Sequence, residues 1–170
     1  MSRPLSYVSL KIVILYLELH TRFKVIASMP SLKFADLVTP FHIQNLDLEQ
    51  SKFKVNQAEY NFELVKIFNK DKTRYNEYFR LTITTRSFVT YEYLTAQDSI
   101  EKAMWYLAKK LFRDNMQVTN LSLRSDGERR LTWLPLDLKL KTHQLFVGQG
   151  ASLIQAKQLT RDCDPTIQRI

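Results

Sequence analysis

Three histidines, one cysteine and three glycines are the residues on which metal, nucleophile or phosphate chemistry would draw. A metal site needs ligands that converge on one point. His20, His42 and His143 are far apart in the chain, none stands in an HExxH or HxH arrangement, and no CxxC accompanies them. They read as surface or strand histidines. Cys163 sits in Arg161-Asp162-Cys163-Asp164-Pro165. The flanking carboxylates disfavour the thiolate that a nucleophile needs. Phosphate loops need glycine where backbone amides approach the anion. Gly127, Gly148 and Gly150 open no helix after a strand, and Gly148-Gln149-Gly150 reads as a turn. The expectation is a chain that is not an enzyme, with no catalytic residue, cofactor or metal.

Nucleic acid is the next chemistry to weigh, because the formal net charge is +8. The basic excess is 2, 3 and 3 in residues 1–68, 69–114 and 115–170, so it forms no patch along the chain. Basic runs stop at two residues, Lys109-Lys110 and Arg129-Arg130. The run Arg74-Tyr75-Asn76-Glu77-Tyr78-Phe79-Arg80 interleaves aromatic and basic residues as a base-stacking sheet does. Alternation, however, puts Phe79, Leu81 and Ile83 on one face and Tyr78, Arg80, Thr82 and Thr84 on the other. That is the pattern of a strand with one face in a core. A basic α+β module for nucleic acid is kept as the alternative reading, and the even charge argues against it.

What remains is contact chemistry. Leu10, Val13, Ile14 and Leu17 recur at spacings of 3, 1 and 3, one apolar stripe on a helix. Trp105 and Tyr106 flank a second stripe, and such residues dominate interface energetics. These six, with Pro4, are the candidate partner-binding residues.

Helices and strands must position them. Residues 4–37 read as helical: one helix capped by Ser6 or Ser9 and running to about Glu18, and a second capped by Thr21 and ended by Pro30. A third turn from Leu32 to Leu37 is capped by Ser31. From 38 to 95 the period becomes two: Phe41 to Leu48, Lys52 to Asn56, Glu59 to Phe68 and Tyr75 to Tyr93 alternate as half-buried strands. Asn69 to Lys72 is a turn. The connections are too short for parallel crossovers, so the strands form an antiparallel meander.

Residues 98–114 carry the plainest helix. Asp98 and Glu101 have capping-box spacing. Ile100, Ala103, Met104, Leu107, Ala108, Leu111 and Phe112 form its stripe. Strands follow at Val118 to Leu123 and at Leu138 to Val147, the latter with a break before Leu145, and the tail from Gly148 has weak periodicity. Asn45-Leu46-Asp47-Leu48 and Asn120-Leu121-Ser122-Leu123 echo each other, as two strands of one sheet would.

A chain of 170 residues buries enough surface to need no staple. A lone cysteine fits a reducing, intracellular compartment, cytoplasm or nucleus. The longest apolar run, Ile12 to Leu17, is too short to span a bilayer and, interrupted upstream by Lys11, makes a poor signal peptide. No membrane association is expected.

The segment Pro4-Leu5-Ser6-Tyr7-Val8-Ser9-Leu10-Lys11, with Val13, Tyr16-Leu17, Arg22-Phe23 and Pro30-Ser31-Leu32, resembles a nematode F-box-associated family, the F-box C group, whose shared domain has no assigned function. Pro40 to Leu48, Ala103 with Tyr106-Leu107, and Leu131 to Leu145 extend the resemblance over nearly the whole chain. It implies a degenerate F-box-like helical segment, 1–37, and an α+β F-box-associated domain, 38–170. It further implies that Pro4, Leu10, Val13, Ile14, Leu17 and Ile26 dock on the Skp-type linker of an SCF ubiquitin ligase. Family members continue past Asp164-Pro165-Thr166, so the resemblance implies a short form here. The fold class expected is α+β: short N-terminal helices, an antiparallel meander, and one long amphipathic helix packed on the sheet. The function expected is a non-catalytic protein-interaction module, a substrate-recognition adaptor for ubiquitin ligation.

Overall fold

Ser6 precedes an apolar decad, and its side chain accepts the Ser9 amide N–H at 3.2 Å. That satisfies one of the orphan donors of a helix start. The computed structural model, which describes residues 6–68, 73–95, 99–112, 116–125, 130–160 and 166–169, runs helix α1 from this cap over Tyr7–Tyr16. Helix α2 spans Leu19–Ser28 and starts before the expected Thr21. The chain turns extended at Leu17, whose N–H closes on Ile14 O at 3.3 Å. Starting at Leu19 turns both Leu19 and Arg22 of α2 inward, where they are buried. Pro30 opens a 3-10 turn, Pro30–Leu32, that runs straight into α3, Lys33–Val38. A proline has no N–H to lose in a first turn, so it starts this element as readily as it ends α2.

The strands are β1 (Phe41–Leu48), β2 (Lys52–Val55), β3 (Ala58–Phe68), β4 (Tyr75–Thr84), β5 (Val89–Thr95), β6 (Met116–Leu123), β7 (Lys141–Val147) and β8 (Thr166–Arg169). They form one sheet in the order β5-β4-β3-β2-β1-β6-β7-β8. The five strands of the meander are antiparallel, as the short connections require. The sheet does not end there. β6, β7 and β8 add to β1 in parallel, making it mixed. The weakly periodic tail supplies helix α5, Leu153–Leu159, and then β8.

Helix α4, Ile100–Leu111, packs on this sheet. Its cap is Ser99, which accepts the Lys102 N–H at 3.3 Å; the expected Asp98 lies outside the described residues. Met104, Ala108 and Leu111 are buried from the stripe, and Phe112 meets the Phe53 ring edge-on at 5.4 Å. Trp133, fully buried, lies 5.8 Å from the Phe53 ring and donates its Nε1–H to Glu49 O at 3.0 Å. Facing these, Tyr60, Phe62, Leu81 and Ile83 close one core.

Burial along the parallel strands slips by one residue at a common level. In β1 it passes from Phe41 and Ile43 to Leu46 and Leu48; in β6, from Met116 and Val118 to Leu121 and Leu123; in β7, from Thr142 to Leu145 and Val147. Strict alternation would send the later residues to the opposite face. Asn56, in the left-handed region at φ 55°, turns β2 into β3. Its Oδ1 accepts the N–H of both Gln44 (2.9 Å) and Asn45 (3.1 Å). Two successive amides aimed at one acceptor are the geometry of a bulge, which resets which residues face the core.

Arg22 ties the helices to the sheet. Its Nε donates to Asp36 Oδ1 at 2.5 Å, its Nη2 to the carbonyls of Asp36 (2.9 Å) and Thr39 (2.7 Å), and its Nη1 to Pro40 O at 3.4 Å. The guanidinium also lies 5.3 Å from the Phe41 ring, at the start of β1. Both charged side chains are buried, and each finds its partners inside the chain.

Candidate protein-docking surface

A helix that is apolar on every side belongs in an interior. α1 has that character: only Ser9 and Lys11 interrupt Tyr7–Tyr16. Yet among its described side chains only Ile14 is fully buried, at 1% exposure. Tyr7, Val8, Ile12, Val13 and Leu15 are exposed, Val8 at 65%. α3 packs against α1 and presents Phe34 (67% exposed), Leu37 and Val38. Tyr7 and Phe34 stack with ring centroids 6.5 Å apart, so the two helices meet at exposed aromatic rings. Lys11 lies over the Tyr7 ring at 4.7 Å, and Lys33 is exposed beside Phe34. Scattered surface leucines are ordinary, but eight large exposed apolar side chains on two packed helices are a concentration of the kind that marks an interaction site.

The structure distributes the expected partner-binding residues unevenly. Val13 is in the exposed face, Leu10 and Leu17 are half-buried, and Ile14 points inward, where it holds α1 in place. Pro4 lies outside the described residues. The single stripe expected on α1 is therefore corrected: the outward side, Val8, Ile12 and Leu15, is apolar too. That signal was present in the sequence. The contribution of α3 was not, because Phe34, Leu37 and Val38 become neighbours of α1 only through the fold.

Trp105 and Tyr106 stand on α4. Their rings meet edge-on at 5.1 Å. Lys109 covers the Trp105 ring at 4.5 Å and reaches Asp137 at 3.8 Å. Trp105 is half-buried and Tyr106 is 52% exposed, so only the tyrosine offers a large free face. Beside Asp137, Leu136 is 98% exposed on a turn closed by the Leu138 N–H donating to Pro135 O at 3.1 Å.

His42 and His143 are exposed on different strands; the side chain of His20, Cys163 and Gly127 lie outside the described residues. Among the described residues, no group of three or more His, Cys, Asp or Glu stands close enough to hold a metal ion. The interleaved strand β4 sends Phe79, Leu81 and Ile83 into the core, as alternation requires. On its other face Arg80 is engaged by Glu63, Nη2 to Oε1 2.8 Å and Nε to Oε1 3.0 Å, and lies over the Tyr91 ring. A guanidinium held by a carboxylate is poorly placed to take a phosphate. No helix among the described residues is long and apolar enough to cross a membrane. No family model matches the chain, and neither does any curated protein or solved structure.

Proposed function

We propose that this chain is a non-catalytic protein-interaction module that docks its partner on the apolar face of α1 and α3. The observation that carries the reading is the exposure of an all-round apolar helix: Val8, Ile12, Val13 and Leu15 stand in water beside Phe34, Leu37 and Val38. Covering a side chain of this size removes about 1.5–3 kcal/mol of unfavourable hydration, so a partner has ample driving force. The partner proposed is the Skp-type linker of an SCF ubiquitin ligase. Support for that choice is the F-box-like sequence of residues 4–32, together with the short helices α1 and α3 that present the exposed apolar side chains. The rest of the domain then recruits a substrate for ubiquitin ligation.

Titration of purified full chain with purified Skp-type linker tests this by calorimetry. Saturable binding is expected, weakened at least about tenfold by Val13→Asp or Phe34→Asp, the 1.4 kcal/mol step that loss of one apolar anchor exceeds. Both side chains are exposed, so these variants keep the fold; Ile14→Asp would bury a charge and confound the result. Absence of binding, or binding that neither variant weakens, overturns the reading. The nucleic-acid alternative loses the interleaved strand β4 as its phosphate-binding element, since Arg80 is already paired.

A further inference from the structure

The sheet ends at β5 on one side and β8 on the other. Edge strands expose unpaired main-chain groups, and folds blunt them with short length, lysine, proline or a bulge. β8 is blunted: it has four residues and ends on Arg169. β5 is not. Its seven residues, Val-Thr-Tyr-Glu-Tyr-Leu-Thr, include no lysine, proline or glycine, and Glu92 is the one charge. Among the described residues, no strand pairs with its far side.

The turn before β5 decides which main-chain groups are open. Thr85 N–H donates to Phe88 O at 2.9 Å. Bonded and non-bonded pairs alternate along an antiparallel ladder. Counting on from Thr85 and Phe88, Thr90 bonds back to Ile83 and Glu92 to Leu81. The N–H and C=O of Val89, Tyr91 and Tyr93 therefore point away from the sheet. The side chains of the same three residues share one face and are 50%, 55% and 53% exposed. Open hydrogen-bonding capacity and exposed apolar surface thus coincide on three alternate residues.

We infer that β5 pairs antiparallel with β5 of a second copy, with Tyr91 on the two-fold axis, joining two eight-stranded sheets into one. In this register Tyr91 faces Tyr91, Val89 faces Tyr93, and Thr90 faces Glu92. Aromatic–aromatic and aromatic–β-branched neighbours are favourable cross-strand pairs, and no like charges oppose. The axis on Glu92 would set that carboxylate against itself and bring the wrong main-chain groups together. An axis on Val89 would pair that residue alone; an axis on Tyr93 pairs as many residues as one on Tyr91 but leaves Val89 open and sets Tyr91 against Thr95 in place of an apolar neighbour. Arg80 brings no unpaired charge to the junction, because Glu63 holds it. The pairing is isologous and closes at two copies, and the blunted β8 edge offers no route to a filament.

Light scattering on the full chain at about 100 μM reads the association, a concentration well above the Kd of a micromolar dimer. The expected mass is twice 20.1 kDa. Tyr91→Lys, which opposes two ammonium groups, shifts the dimer constant at least about tenfold toward monomer. Ile167→Lys, an exposed position on β8, leaves it unchanged. With Cys163→Ser removing the native thiol, Tyr91→Cys forms an intermolecular disulfide on oxidation, since opposed residues of a bonded pair lie about 5.5 Å apart. Thr90→Cys cross-links far less, because it faces Glu92. A monomer at this concentration overturns the inference. So does a dimer that survives Tyr91→Lys, or one that cross-links through residue 90 in preference to 91.

Discussion

The side-chain amide of Asn120 donates to Asn45 Oδ1 at 2.8 Å, across the parallel pair of β1 and β6. The two asparagines are register partners and stand where burial slips by one residue in both strands. The bond pins the level at which the antiparallel meander is extended by parallel strands. Asn45→Ala and Asn120→Ala are each expected to destabilise the fold by about 0.5–1.5 kcal/mol. Urea denaturation of the double variant checks it: the combined loss should fall short of the sum, and strict additivity would mean the bond contributes nothing.

The buried pair Arg22–Asp36 fastens the helices to the start of β1. Removing one member leaves the other charged and unpartnered, so Arg22→Ala is expected to cost about 3–5 kcal/mol. Arg22→Lys rescues little, because one ammonium cannot reproduce the fork that meets Asp36, Thr39 and Pro40. Denaturant midpoints of the two variants, compared with the parent, provide the check.

Trp133 closes the core from an irregular segment. Trp133→Ala is expected to cost about 3–5 kcal/mol from lost volume. Trp133→Phe should cost less, about 1–3 kcal/mol, chiefly by orphaning the Glu49 carbonyl that Nε1 serves. Thermal unfolding of both orders the two contributions.

Alkali should unfold the chain through Tyr60. Burial, and secondarily the charge of Glu18, pushes its hydroxyl well above the usual tyrosine value of 10.0. Folded-state affinity for that proton exceeds unfolded-state affinity, so the contribution is fully present below pH 10 and declines as pH rises above it. Stability measured from pH 8 to 11.5 is expected to fall less steeply in Tyr60→Phe than in the parent.

How far the sequence led depends on whether a feature is local. The echo of Asn45-Leu46-Asp47-Leu48 in Asn120-Leu121-Ser122-Leu123 marks true partners: all four residue pairs are in register. The stripe of α4 and the alternation of β4 were legible because amphipathic period is a property of one segment. The bulge at Gln44-Asn45 was not, since it depends on Asn56, brought across by the hairpin. The parallel pairing of β7 and β8 was not either, because parallel strands meet only after long connections. At the docking face, α1 could be read, whereas Phe34 joins it through stacking on Tyr7.

Hydrogen exchange on the full chain, with and without purified Skp-type linker, locates the docking site. It reports where the partner sits as well as whether it binds. Docking on the proposed face requires added protection of the backbone in α1, Tyr7–Tyr16, and α3, Lys33–Val38, with α4 and the meander unchanged. Unaltered exchange in both helices at saturating linker, or protection confined to other elements, would contradict it.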